Sequence, residues 1–89
     1  MEIINKNLGI STEDVYSCDD LLKLREWRVG VALTLHEISC KLTEAKAHKH
    51  RTGVYVDKVW FERTEKARRL QEILLFQIEH QIEKLNQPT

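Results

Sequence analysis

The chain has 89 residues, enough for one small domain. Its 14 Lys and Arg side chains balance its 14 Asp and Glu side chains, so net charge alone indicates neither a nucleic-acid nor a membrane partner. Two cysteines are too few for a disulfide framework, and the longest apolar run falls far short of the ~20 residues of a membrane span. With no basic-then-apolar leader at its start, the sequence predicts a cytoplasmic protein with free thiols.

Residues 1–17 are predicted to form an N-terminal arm, separate from a helical hairpin over residues 18–89. Residues 1–10 are rich in apolar side chains but show no clear period, so we expect an arm that packs against something or stays partly disordered. Ser11 and Asp14 have the spacing of a capping box, which predicts a single helical turn near 12–16.

A first long helix is predicted over about 19–51. Asp19 and Asp20 stand where the helix dipole favours acids, and cations precede Gly53, the expected stop. Its apolar residues follow a three-four spacing that a helix places on one face. The members of this seam are Leu21, Leu24, Arg28, Val31, Leu35, Ile38, Leu42 and Ala45, with Arg28 as the polar exception.

A turn over about 52–57 leads to a second predicted helix over about 58–86. Asp57 is a good N-cap, and Val56 and Phe61 have the spacing of a hydrophobic staple around it. The second seam comprises Trp60, Thr64, Ala67, Leu70 or Gln71, Leu74, Ile78, Gln81 or Ile82, and Leu85. Because the two seams match when the helices run antiparallel about this turn, the predicted fold is an all-α, coiled-coil-like two-helix hairpin.

The hairpin carries more apolar side chains than its own seam can cover. The four successive apolar residues 73–76 point in every direction around a helix, and the first helix has a similar excess. A homodimer forming a four-helix bundle is the predicted solution; a different protein partner or an arm-covered monomer are the alternatives. The predicted interface residues are Leu22, Val29, Gly30, Leu33, Ile73, Leu75 and Phe76. Gly30 is explained either by close approach of another backbone or as a tolerated accident.

The sequence contains no recognisable catalytic, cofactor-binding or metal-binding constellation. A di-iron bundle would need Glu-x-x-His motifs, and His48 and His80 lack them. Cys40 with His48 and His50 matches no standard metal-ligand spacing. A two-helix rod offers no obvious cleft for a nucleophile and its base, so we expect a non-enzymatic protein without a cofactor or metal.

The charges are distributed unevenly along the predicted rod. Residues 41–69, at the turn end, carry nine basic and four acidic side chains, whereas both terminal segments are acidic. Six residues are candidates for a basic tip surface: Lys49, Arg51, Lys58, Arg63, Arg68 and Arg69. Nucleic-acid binding through this tip is the alternative function, although Glu62 is spaced to pair with Lys66 and Glu65 with Arg68 or Arg69.

About half the chain resembles small helical-hairpin proteins encoded in phages and prophages. The resemblance lies in residues Ala45, Ala47, His48, Gly53, Tyr55, Asp57, Trp60, Phe61, Arg63, Ala67 and Arg68. Most such proteins have no assigned function, and the resemblance implies an accessory or host-interfering role exerted through protein contacts. The resulting hypothesis is a self-associating module that binds another, unidentified protein.

Overall fold

The structure, a computed structural model, describes residues 3–55 and 57–86. It contains three helices: α1 (Thr12–Ser17), α2 (Leu21–Thr52) and α3 (Lys58–Asn86). The two long helices pack side by side along a rod with a longest extent of 56 Å. The predicted all-helical fold with two long packed helices is confirmed.

Local hydrogen bonds explain where the long helices begin and end. The Asp20 carboxylate accepts the backbone N–H groups of Leu22 and Lys23 at 3.1 and 3.3 Å, which caps the start of α2. Gly53 ends α2 with a φ of 82°, a left-handed conformation that suits glycine. Asp57 caps α3 by accepting the backbone N–H of Trp60 at 3.0 Å.

The aromatic contact at the turn differs from the predicted staple. Val56 lies outside the described residues. Tyr55 stacks on Phe61 with 4.3 Å between the ring centroids, and this contact joins the turn to the first turn of α3.

Each predicted seam needs one correction of phase, and Leu85, the last member of the α3 seam, is exposed. On α2, Arg28 is exposed and the half-buried Trp27 packs against the core instead. On α3, Phe61 is 7% exposed whereas Trp60 is 40% exposed, so Phe61 is the inward aromatic residue. Both corrections are shifts of one residue, about 100° around a helix, at positions where the three-four spacing allows either choice.

The N-terminal segment packs against the hairpin. Asn5 and Ile10 form an antiparallel bridge that closes a tight loop, and this loop leads into α1. The predicted capping box of Ser11 and Asp14 is present at the start of α1. The last turn of α1 brings Val15 into the core, where it is fully buried.

The main core therefore lies in the half of the rod that holds the N-terminal segment, called here the base. Its buried members come from all three parts of the fold: Ile10, Val15, Leu24, Val31, Leu74, Ile78 and Ile82. The other end of the rod, where α2 turns into α3, is called the tip. Of the tip half, Leu42 and Phe61 are buried. The arm thus covers part of the apolar excess that the sequence presents.

Buried amides fix the arm to the middle of the hairpin. The Asn5 side-chain nitrogen donates to Gln71 Oε1 at 2.9 Å and to Thr34 Oγ1 at 3.3 Å. In return Gln71 Nε2 donates to the carbonyl oxygen of Ile4 at 2.6 Å. Asn5 is 1% exposed and Gln71 is 6% exposed, so each satisfies polar groups of the other that water does not reach.

Candidate interaction surfaces

A stripe of exposed apolar side chains runs along α2 on the side opposite its buried seam. Leu22, Val29 and Leu33 are each more than half exposed. At about 100° per residue they point within about 20° of one direction, while Leu24 and Val31 point about 180° away. We define the α2 outer face as Leu22, Glu26, Val29, Leu33, His36 and Cys40, all of which are exposed.

A second exposed apolar patch lies on α3. Ile73 is 54% exposed and Phe76 is 69% exposed, the largest value among the exposed large hydrophobic residues. Arg69 and His80 share this side of the helix and are also exposed. We define the α3 outer face as these four residues. It is shorter than the α2 outer face and has a cationic or titratable residue at each end.

The two outer faces point in opposite directions. Each lies about 180° around its helix from the residues buried at the α2–α3 contact, such as Val31 on α2 and Ile78 on α3. One faces away from α3 and the other away from α2. A single flat partner surface therefore cannot cover both faces of one hairpin at once.

Two of the predicted interface residues are placed elsewhere. Gly30 is half-buried beneath Leu8 of the arm: a Cβ at Gly30 would lie 2.8 Å from one Leu8 methyl carbon. Leu75 is half-buried and packs against the core. The close approach expected at Gly30 therefore comes from a side chain of the same chain. The other five predicted residues, Leu22, Val29, Leu33, Ile73 and Phe76, are exposed on the two outer faces.

The basic residues predicted at the tip are mostly exposed. Lys49, Arg51, Lys58, Arg63 and Arg69 are exposed, whereas Arg68 is half-buried. Arg68 donates to Glu72 at 2.6 Å, and this is the one ion pair within 4.0 Å in the described part of the chain. The predicted partners Glu62 and Glu65 do not form such pairs there. The Lys49 ammonium lies 4.6 Å from the centroid of the Tyr55 ring, a cation–π contact.

A shallow cleft at the base has acidic residues along its wall. It encloses about 530 Å³, and its lining includes Asp14, Asp20, Cys18, Lys23 and Trp27. Two of its carboxylates already take part in helix caps. Asp14 accepts the backbone N–H of Ser11, and Asp20 accepts the backbone N–H of Leu22. The Cys18 thiol lies 3.6 Å from the Asp20 carbonyl oxygen. These bonds explain Asp14, Cys18 and Asp20 as parts of local structure.

The histidines do not gather around one point. His36 Nε2 lies 3.7 Å from the Cys40 sulfur on the α2 outer face, one helical turn away. Within residues 3–55 and 57–86, the structure brings together no group of three His, Cys, Asp or Glu side chains suited to holding a metal ion. Both cysteines are free thiols.

Comparison with protein-family models, with curated proteins and with solved structures gives no match. None of the described helices combines the length and the apolar character needed to cross a lipid bilayer.

Proposed function

We propose that this chain is a non-enzymatic protein-interaction module that self-associates and also binds another protein. Its dimer would bring four long helices together. The observation that carries the proposal is the exposure of large apolar side chains on the outer faces of both long helices, at Leu22, Val29, Leu33, Ile73 and Phe76.

The exposed apolar positions persist although the arm covers part of the hairpin. The arm supplies Ile10 and Val15 to the base core and covers Gly30 with Leu8, so it accounts for one side of the hairpin. The arm leaves the apolar residues of both outer faces exposed. Several large apolar side chains exposed on one face of a helix are typical of an interaction site. Because there are two such faces, one is available for self-association and one for a different protein.

Two further parts of the proposal concern biological setting. The free thiols of Cys18 and Cys40 suit a reducing compartment, so we place the protein in the cytoplasm. The likeness around Gly53, Tyr55 and Trp60 to phage and prophage hairpin proteins supports an accessory or host-interfering role. No cofactor or metal enters the proposed function.

Two measurements test this proposal. Size-exclusion chromatography with light scattering compares the wild type with Leu33→Glu and Phe76→Glu, both on exposed positions where the substitutions leave the core intact. We expect the wild type to be larger than a monomer and one of the two variants to be a monomer. When each protein is used as bait in a host extract, a partner protein should bind the wild type. That partner should not bind the variant that still self-associates. A monomeric wild type, or identical captured sets for all three baits, would contradict the proposal.

The alternative function is nucleic-acid binding by the tip, which the exposed Lys49, Arg51, Lys58, Arg63 and Arg69 favour. Phosphate contacts make binding fall steeply with salt. We would compare wild type, Arg51→Glu plus Arg69→Glu, and the base control Lys84→Glu on DNA and RNA. Salt-sensitive binding lost only in the tip variant would promote this alternative. Equal nucleic-acid binding by all three proteins, or no binding even at low salt, would rule out this alternative function.

A further inference from the structure

We propose that two copies of this chain pair through their α2 outer faces, with the two α2 helices antiparallel. The proposal rests on the self-association proposed above and assigns it a surface, an orientation and a register. In that register the numbers of residues that face each other add up to about 62. The four long helices then lie in the order α3, α2, α2 of the partner, α3 of the partner.

The spacing along the α2 outer face is that of a second seam. Leu22, Val29 and His36 are seven residues apart, and Glu26, Leu33 and Cys40 repeat at the same interval. This heptad spacing is what two helices need to remain in contact along their length. Leu8, lying over Gly30, borders one side of the face and gives it an apolar edge.

The register follows from pairing apolar with apolar and acid with base. With Val29 against the partner's Leu33, the twofold axis requires Leu33 to meet the partner's Val29. The next layers outward then place Glu26 against the partner's His36, and Leu22 against the partner's Cys40. On each side of the twofold axis, two apolar layers flank a polar one. In the polar layer the imidazole can donate a hydrogen bond to the carboxylate. The contact extends from Leu22 to Cys40, about 27 Å at about 1.5 Å per residue.

The charge distribution along the rod selects the antiparallel orientation. The base holds Asp19 and Asp20 just before α2, together with Glu13 of α1. Beyond Cys40, by contrast, the exposed cations of α2 are Lys41, Lys46, Lys49 and Arg51. In antiparallel pairing, the basic end of each α2 extends past the start of the partner's α2. It then lies near the acidic residues at the base of the partner. Parallel pairing places basic tip beside basic tip, which is repulsive.

The α3 outer face suits a second copy less well. Antiparallel pairing of Ile73 with the partner's Phe76 brings Arg69 against the partner's His80. Parallel pairing brings Arg69 against the partner's Arg69. Both arrangements set basic groups against each other beside only two apolar residues, whereas the α2 outer face offers three apolar residues, a thiol and an acid–base layer.

The orientation and register are tested by cross-linking thiols with a short bismaleimide in the full-length chain. Cys18→Ser serves as background, leaving Cys40 as the remaining thiol. Adding Leu22→Cys puts a thiol opposite the partner's Cys40, and we expect rapid formation of a covalent dimer. Two controls carry single thiols: the background itself, and Leu22→Cys in a background that also carries Cys40→Ser. In the proposed register, like positions are displaced by about 18 residues, or about 27 Å. Both controls should therefore remain uncross-linked.

The surface is tested separately by substitution. We expect Leu33→Glu to weaken dimerisation at least about 100-fold, because the symmetric contact loses an apolar residue twice and gains two charges. Phe76→Glu places the same charge on a similarly exposed site of α3 and should leave the dimer intact.

Each contrary result has a definite meaning. Cross-linking of the background alone through Cys40 would show a parallel pair and overturn the proposal. A dimer that survives Leu33→Glu, or that fails to cross-link in the two-thiol variant, would overturn the surface or the register while self-association stands. A monomeric background before cross-linking would overturn both this proposal and self-association.

Discussion

Leu8 lies over Gly30 so closely that a Cβ at Gly30 would be 2.8 Å from a Leu8 methyl carbon. The glycine within α2 thus makes room for the N-terminal arm. A helix interior loses about 1 kcal/mol when Ala is replaced by Gly. The contact with Leu8 of the same chain explains why glycine is present at this position, and no second copy is needed for that explanation.

A double-mutant cycle tests this relationship. In the Leu8→Ala background, Gly30→Ala should stabilise the protein by up to about 1 kcal/mol, because helix propensity improves and no methyl group stands in the way. In the wild type the gain should be absent or reversed, since Leu8 must move. The free energy of unfolding in urea, followed by circular dichroism, gives the coupling. Equal effects of Gly30→Ala in both backgrounds would contradict the contact.

The buried amide bonds of the arm give a second prediction. Asn5→Ala should destabilise the fold by about 1–3 kcal/mol, because it leaves the buried Gln71 without one of its partners. The matched control is Asn7→Ala, an exposed asparagine in the same loop, with an expected change within about 0.5 kcal/mol. Equal urea midpoints for the two variants would show that the arm is not fixed through Asn5.

Local signals in the sequence predicted the helix ends well. Gly53 and Asp57 act on neighbouring backbone within a few residues, so the residue type alone indicates the structure. Asp20, expected in the first turn of α2, is its N-cap instead. The arm was not predictable in the same way. Asn5 and Gln71 are 66 residues apart, and no periodic pattern links a polar residue of a non-periodic segment to one on a distant helix.

The exposed faces were only partly predictable from the sequence. The apolar excess at 73–76 and on α2 can be predicted from the sequence, because more apolar residues are present than one helix face can hold. The sequence predicts Gly30 and Leu75 at the interface because it does not show that Leu8 covers Gly30 or that Leu75 packs against the core. Both contacts depend on segments distant in sequence. Trp60 and Phe61 are adjacent, so the phase of the seam at the start of α3 depends on how the turn packs. The stacking of Tyr55 on Phe61 settles it.

That phase gives a third prediction, for the tip. Phe61→Ala should cost about 3–5 kcal/mol, the usual range for a buried Phe. Trp60→Ala removes a larger side chain but should cost less, because Trp60 remains 40% exposed. The two free energies of unfolding, measured under one set of conditions, decide between them. A larger loss of unfolding free energy for Trp60→Ala would show that Trp60, and not Phe61, is the inward residue of the seam.

A fourth prediction concerns the start of α2. Asp20→Ala should cost about 1 kcal/mol, because two backbone N–H groups lose their acceptor. Asp19→Ala is the matched control: it removes the same charge one residue earlier, where the side chain is exposed and is not the cap. Thermal melts of both variants separate capping from charge. Similar shifts in melting temperature would mean that charge near the helix dipole, and not the cap, is responsible.

We propose above all that this hairpin associates with itself through apolar side chains that its own fold leaves exposed. Sedimentation equilibrium of the untagged wild-type chain over a range of concentrations tests this most directly. We expect a mass of twice the 10.5 kDa chain, and this mass should fall toward that of one chain on dilution. A mass of one chain at every concentration, extending to the highest that remains soluble, would contradict it.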